Sequence, residues 1–355
     1  MKVLLLGEFS SLYKNLKEGL EDLGCEVVTA SSGDSYRKIP ADIKLSSLLP
    51  GFLGKAHRKI KPLIELNKFK GYDVVQVINP FIFYHYLFPN ILFYRYLIAN
   101  NKKLFLSGAG DDAFFWRYGR TRLSYGPFED FLKYDLKRDN CFLSSDKSYA
   151  YNKSILDMSK GLIPIMYEYE VSYQHEEKCL SVIPIPVNLN KIRYCENVVK
   201  DKLVVFHGLT RYGFKGTRHV EKAFSYLKRK YPDELELIIE GGLPLGEYLE
   251  IMAKTNVVID QMYSHSLGVN GVYALAMGKV VIGGAEKESL KSHKVTESPV
   301  INVKPNYKDL VVAIENLLIS KSGIPDIGRR SREYAEKVHD HVKVAKQYIE
   351  TWEEN

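Results

Sequence analysis

Apolar residues along this 355-residue chain follow two alternating rhythms. Short unbroken runs such as "KVLLLG" (2–7), "CEVVTA" (25–30), "YDVVQVIN" (72–79) and "KLFLSGAG" (103–110) read as buried strands. Between them lie segments with apolar positions three or four apart. The clearest is "SLYKNLKEGLEDLG" (11–24), with Leu12, Leu16, Leu20 and Leu23 on one face. A loop-rich stretch follows, through "NCFLSS" (140–145), and then a helical 147–159. "CLSVIPIPVNL" (179–189) carries Pro184 and Pro186, which do not fit inside a central strand, so it reads as a connector.

Beyond the connector the alternation resumes. "KLVVFHG" (202–208), "LELIIEGG" (235–242), "NVVIDQ" (256–261) and "VVIGG" (280–284) are predicted strands. "GTRHVEKAFSYLKRKY" (216–231) and "LGEYLEIMAKT" (245–255) are predicted helices, and another opens within "SHSLGVNGVYALAMGK" (264–279). The chain closes with helical patterns over 307–321 and 331–354. Strands separated by helices predict parallel sheets covered on both faces, and this length predicts two such units. The expected fold is α/β, two Rossmann-like doubly wound domains facing across a cleft. Their expected limits are 1–195 and 196–335, with 336–355 a C-terminal helix packing back on the first domain. Ligands of such sheets bind beyond the C-terminal ends of the strands, so the cleft is the first place to look.

Composition adds exclusions. The chain is 45% hydrophobic and 26% charged, with no repeat and no low-complexity tract. Cys25, Cys141, Cys179 and Cys195 lie far apart with no metal-ligand spacing, which suits reduced thiols in a cytoplasmic protein. The apolar run before Gly7 is too short for a signal peptide or a membrane span. The longest apolar region, Phe81 to Ala99, is interrupted by His85, Pro89, Asn90 and Arg95.

Of the net charge of +7, residues 1–200 carry +6 and residues 201–355 carry +1. "KAHRKIKPLIELNKFK" (55–70) sets six Lys/Arg against Glu65. This run reads either as a solvated helix face or as an attachment to an anionic inner-membrane surface. The aromatic segment Phe81–Tyr96 reads either as a buried helix or as a partner in that attachment. No recognition helix, zinc spacing or RNP-like motif accompanies the charge, so nucleic acid is not an expected partner.

Candidate chemistry concentrates in the second half. In "HGLTRYGFKGT" (207–217), Arg211 and Lys215 stand four apart beside a helix start, and Gly213 and Gly216 let the backbone bend close to a ligand. A guanidinium and an ammonium near a helix N-terminus suit a diphosphate. Gly268, Val269, Asn270 and Gly271 open a second helix, whose first amides would also point at an anion.

The stretches "VVFHGLTRYGFKGTRHVEKAF", "LIIEGG" and "NVVIDQMYSHSLGVNGVYALAMGKVVIGG" together resemble the donor half of GT-B glycosyltransferases, nearest to glycosyltransferase family 4. The resemblance spans roughly residues 200–350; the first half matches in layout, through Gly7, "YDVVQV" and "KLFLSGAGDD". It implies a GT-B fold and a retaining enzyme that moves a sugar from a nucleotide-diphosphate sugar to a saccharide or lipid-linked acceptor. The expected setting is bacterial surface polysaccharide or glycolipid synthesis, at the inner face of the cell membrane. Arg211 and Lys215 fall on residues that hold the donor diphosphate, with Gly268, Val269, Asn270 and Gly271 assisting. Glu240 and Gly241 fall beside the base. Gly7, Glu8, Phe9 and Asp111 fall on the acceptor side.

Two departures accompany the match. The family pattern has two glutamates eight positions apart; here those positions hold His265 and Tyr273. The expectation is that Tyr273 meets the ribose and that His265 reaches the sugar, with Asp112 as a second catalytic group. "SGAGDD" (107–112) also lacks the histidine of many relatives. Apart from Asp111–Asp112 there is no paired carboxylate at a strand end, so no cofactor and no obligatory metal are expected. The missing glutamates keep two alternatives open: a non-catalytic GT-B-like binding or scaffolding protein, and a nucleotide-sugar epimerase.

Overall fold

A computed structural model of the chain describes residues 1–34, 39–47, 51–84, 90–134 and 141–355. The first unit runs through β1 (Lys2–Leu6), α1 (Leu12–Asp22), β2 (Glu26–Ser31), β3 (Ile43–Lys44), α2 (Gly51–Ile64), β4 (Val74–Val77) and α3 (Ile91–Asn100). It continues with β5 (Lys103–Gly108), α4 (Arg120–Arg122), α5 (Phe128–Tyr134), α6 (Asp146–Met158), β6 (Gly161–Pro164) and α7 (Tyr167–Tyr173). Its six strands are all parallel, in the order β3-β2-β1-β4-β5-β6. Val3 to Leu6 are fully buried because both faces of the sheet are covered, as their unbroken apolar run requires.

The second unit comprises β7 (Leu203–Leu209), α8 (Tyr212–Lys215), α9 (Thr217–Lys230), β8 (Leu235–Gly241), α10 (Leu245–Lys254), β9 (Val257–Ile259) and α11 (Val269–Ala276). Then follow β10 (Val280–Gly283), α12 (Lys287–Ser292), β11 (Ile301–Asn302), α13 (Tyr307–Ile319), α14 (Ile324–Val338) and α15 (His341–Glu354). Its five parallel strands are ordered β11-β10-β9-β7-β8.

Helix α15 returns to the first unit and lies along α1. Its Trp352 is 1% exposed, and the indole N–H donates to Gln76 Oε1 on the central strand β4 at 2.9 Å. The Gln76 amide in turn donates to Ser107 Oγ at 2.9 Å, and Ser107 lies 3.0 Å from the Tyr13 hydroxyl. A buried amide in the middle of a sheet thus finds partners from a strand, from α1 and from the last helix.

The structure departs from the sequence pattern at several points. The periodicity over 331–354 predicts one helical segment, yet the helix breaks at Asp340. There the chain pairs with the connector: Val187 N–H donates to His339 O and His341 N–H to Val187 O. The Asp340 carboxylate then caps α15 through the amides of Val342 and Lys343. "GLIP" at 161–164 forms β6, a strand too short for its pattern to announce, and residues 141–144 form a 3₁₀ turn.

Residues 85–89 of the aromatic segment lie outside the described residues. Around them α3 starts only at Ile91, with Phe93, Tyr94 and Leu97 buried and Leu92 71% exposed. Most of the basic run 55–70 falls in α2 and the turn after it. The side chains of Lys55, Arg58 and Lys59 are outside the described residues. Ile60, Leu63 and Ile64 on α2 are exposed.

Replacing Trp352 by Ala is expected to cost about 3–5 kcal/mol, the usual range for a buried aromatic, and to strand the Gln76 amide. A lowered urea midpoint checks this, and an unchanged midpoint contradicts it.

Candidate functional site

The C-terminal ends of both sheets open on a shared cleft of about 980 Å³. The first unit contributes the turns after β1, β4, β5 and β6; the second contributes the turns after β7 and β9 and the start of α11. Lining residues therefore sit where parallel strands release the chain, as doubly wound sheets dictate.

Asp260 organises the second-unit wall. It follows β9, is 1% exposed, and accepts the Gly268 N–H at 2.7 Å through Oδ2. Its Oδ1 lies 3.5 Å from Lys215 Nζ, itself nearly buried. The first intrahelical bond of α11 runs from Val272 N–H to Gly268 O, so the amides of Val269, Asn270 and Gly271 precede it and carry the positive end of the helix. Gly268, Val269 and Asn270 line the cleft; Gly271 sits one step deeper, against Asp260. Lys215 and this helix end face the same space.

Arg211 lines the cleft from the turn after β7. Its guanidinium lies 3.4 Å from the centre of the Phe214 ring and pairs with Asp111 of the first unit at 2.8 Å. Gly213 serves packing rather than a ligand: a Cβ there would come within 2.8 Å of Phe131 Cα, because α8 lies directly on α5 of the first unit. Under this wall, His207 donates Nδ1–H to Ile259 O and accepts at Nε2 from the Thr217 hydroxyl. Burial, with the Lys215 charge nearby, lowers its pKa to about 3, so it stays neutral.

Beside the main cleft is a narrow annex of about 20 Å³, bordered by Gly241, Tyr248, Val269 and Tyr273. Glu240 stands exposed at the end of β8, turned onto the Gly241 amide at 3.2 Å. The Tyr273 hydroxyl accepts from Asn15 of α1 at 2.9 Å, and burial holds its pKa up, so it remains a neutral phenol.

The first-unit wall begins at Gly7, whose φ of +91° and whose closeness to Ile78 (2.2 Å for a Cβ) require glycine. Glu8, buried at the edge of the cleft, accepts the amides of Tyr13 at 3.3 Å and Lys14 at 2.9 Å and so caps α1. Burial raises its pKa to about 7 against those two bonds. Phe9 and Asp111 line the cleft as well, and Tyr169 from α7 joins them, its hydroxyl accepting the Gly110 N–H at 2.9 Å.

Two expected catalytic groups, Asp112 and His265, lie off the cleft. Asp112 is fully buried and faces away from the cleft. It accepts the Phe115 amide and the Tyr173 hydroxyl, both at 2.8 Å, as a cap for the helical turn that follows. Of the two adjacent acids, Asp111 is the one that lines the cleft. His265 is 5% exposed and also lies off the cleft. Its ring stacks on Tyr125 at 4.1 Å, Nε2 is 3.1 Å from Ser124 Oγ, and burial lowers its pKa.

Sequence reading passed over Asp260, Glu168 and Tyr169. A lone acid ending an apolar strand was a usable signal for Asp260; the other two carry none. Among the described residues, no three His, Cys, Asp or Glu side chains gather as metal ligands, and no helix is long and apolar enough to cross a membrane.

Two parallel-sheet Rossmann-like domains facing across a cleft, with helices on both faces, define the GT-B fold, and this chain has it. The Anabaena HepE structure in complex with UDP and glucose matches with a TM-score of 0.63 at 12% identity, over 100% of both chains. Sucrose-phosphate synthase from Thermosynechococcus elongatus matches at 0.62 and 14%, over 100% of this chain and 98% of its own. A UDP-GlcNAc 2-epimerase from Neisseria meningitidis bound to UDP-GlcNAc matches at 0.55 and 13%, over 100% of both. No protein-family model and no curated protein sequence matches the chain.

Burial raises the Asp112 pKa from 3.8 to about 7. The folded chain then holds a proton that the unfolded chain releases at lower pH. Its contribution to stability is full below about pH 4 and is lost as pH rises through about 7. Asp112→Asn is expected to remove that loss, so the variant gains on the wild type between pH 4 and 8. Urea unfolding at pH 4, 6 and 8 checks it; parallel profiles would contradict it.

Proposed function

We propose that this protein is a glycosyltransferase of the family-4 type, moving a sugar from a nucleoside-diphosphate sugar to a saccharide or lipid-linked acceptor. The observation that carries the reading is the convergence of Arg211, Lys215 and the start of α11 on one wall of an interdomain cleft. A diphosphate is the ligand that such a set neutralises best. Support for a UDP-sugar donor comes from the HepE structures, which hold UDP, UDP with glucose, and UDP-glucose.

In this reading Arg211 exchanges Asp111 for the donor diphosphate, and the released Asp111 faces the sugar and the acceptor. Lys215 and the amides of Val269, Asn270 and Gly271 stabilise the charge on the departing diphosphate, which supplies the largest catalytic term without a metal. Gly241 and Tyr273 border the base and ribose side, with Glu240 at its rim. Gly7, Glu8 and Phe9 border the acceptor. Retention of configuration and a place in bacterial surface polysaccharide or glycolipid synthesis rest on the family resemblance. The epimerase reading has one observation of its own, the likeness to the Neisseria enzyme. A binding or scaffolding role has another, the absence of carboxylates at 265 and 273.

Lys215→Ala is expected to weaken nucleoside-diphosphate binding about 10- to 150-fold, the worth of one charged hydrogen bond, with the fold intact. Titration calorimetry with UDP, GDP, ADP and CDP measures this, and no binding to the wild type sinks the reading. Incubation with the sugar nucleotide that binds separates the alternatives: transfer or slow hydrolysis marks a transferase, an epimer without acceptor marks an epimerase, and an unchanged donor marks a binding protein.

A peripheral site on the inner membrane face is proposed from α2, where exposed Ile60, Leu63 and Ile64 accompany the basic run. Each cation near an anionic surface contributes about 1 kcal/mol. The protein is expected to sediment with anionic liposomes at low salt and to be released at high salt. Protein that stays in the supernatant at low salt contradicts this.

A further inference from the structure

The first turn of α7 reaches from the first unit into the second. Glu168 is 3% exposed, and its Oε1 accepts three donors from the loop between β9 and α11. These are the His265 N–H at 2.6 Å, the Ser266 N–H at 2.9 Å and the Ser264 hydroxyl. Glu170, on the same turn, accepts the Ser292 hydroxyl of α12. Among the described residues no Lys or Arg forms an ion pair with Glu168, so the loop itself supplies what keeps this carboxylate buried. A buried acid held that way binds its donors firmly, because losing them leaves the charge unsolvated.

The same loop is held a second time two residues later, where Gly268 N–H meets Asp260. Residues 264–268 are thus fixed at one end by an acid of the facing domain and at the other by an acid of their own. The next three amides, at 269–271, open α11 on the cleft. The geometry at 264–266 therefore sets the direction in which those amides point.

We propose that Glu168 is a positioning residue: from the acceptor-side domain it fixes the loop that aims the start of α11 at the donor diphosphate. The donor site is then complete only while the two domains are docked. This rests on the reading of the cleft as a nucleotide-sugar site. It also gives a reason why the loop keeps its form with histidine at 265, where the family resemblance expects an acid. The carboxylate comes from the other domain and holds the backbone instead.

The test uses the full chain and the variants Glu168→Ala, Glu168→Gln and, as a control on the neighbouring contact, Ser292→Ala. Hydrogen exchange is read over 264–271, and UDP affinity is read by calorimetry at a temperature where every variant is folded. Glu168→Ala is expected to speed exchange at 264–271 at least tenfold and to weaken UDP at least tenfold. Glu168→Gln, which keeps the shape and loses the charge, falls between and serves if the alanine variant fails to fold; Ser292→Ala changes neither reading. Unchanged exchange overturns the proposal, and so does faster exchange with unchanged UDP affinity, which would make Glu168 a purely structural link. A wild type that binds no nucleotide removes the functional reading by itself, while the exchange data still decide whether Glu168 sets the loop.

Discussion

A carboxylate buried at the end of β9 is the constraint around which the cleft is built. At 1% exposure Asp260 has no water to satisfy its oxygens and needs partners from the protein. It obtains them from two directions, the Lys215 ammonium and the Gly268 amide. Those partners lie on different loops, after β7 and before α11, so satisfying one acid fixes the relative position of both. Lys215 and the start of α11 are therefore held in position by the protein itself.

The same logic of shared partners docks the two domains. Asn15 on α1 donates to the Tyr273 hydroxyl and accepts the Asn188 amide, tying a first-domain helix to both α11 and the connector. Arg211 with Asp111, on the cleft, and Arg218 with Asp130 pair across the two domains. Phe214 inserts edge-on between Phe128 and Phe131, with ring centres 5.8 and 4.6 Å away. Polar links set the register and aromatic contacts supply the area, a division that suits an interface meant to keep its alignment.

How much of this was legible in the sequence depends on the range over which each feature is determined. Most of the strands and the helices between them follow from local apolar patterns, whereas β3, β6 and β11 are too short to announce themselves. Lys215, Arg211 and the glycines of 268–271 could be located because strand-to-helix turns announce themselves by composition. Asp111 and Asp112 could not be told apart: which of two adjacent acids faces the cleft depends on where β5 ends and the next helical turn begins. The side-chain packing of Asn152 and Tyr173 decides that. The family spacing marks His265, whereas its orientation is decided by Tyr125, Ser124 and Glu168, more than 90 residues away in sequence. The break at Asp340 was hidden for a similar reason, since the helical pattern continues through it and only the connector interrupts it.

That break has a mechanical consequence. The chain crosses between the domains twice, once outward through the connector and once back between α14 and α15. At Val187 and Asp340 the two crossings run alongside each other and are bonded together. A single linker would let one domain swivel freely about it. Two crossings bonded to each other at one bridge resist torsion more than a single linker would. Any change in the width of the cleft has to bend both crossings at this one line.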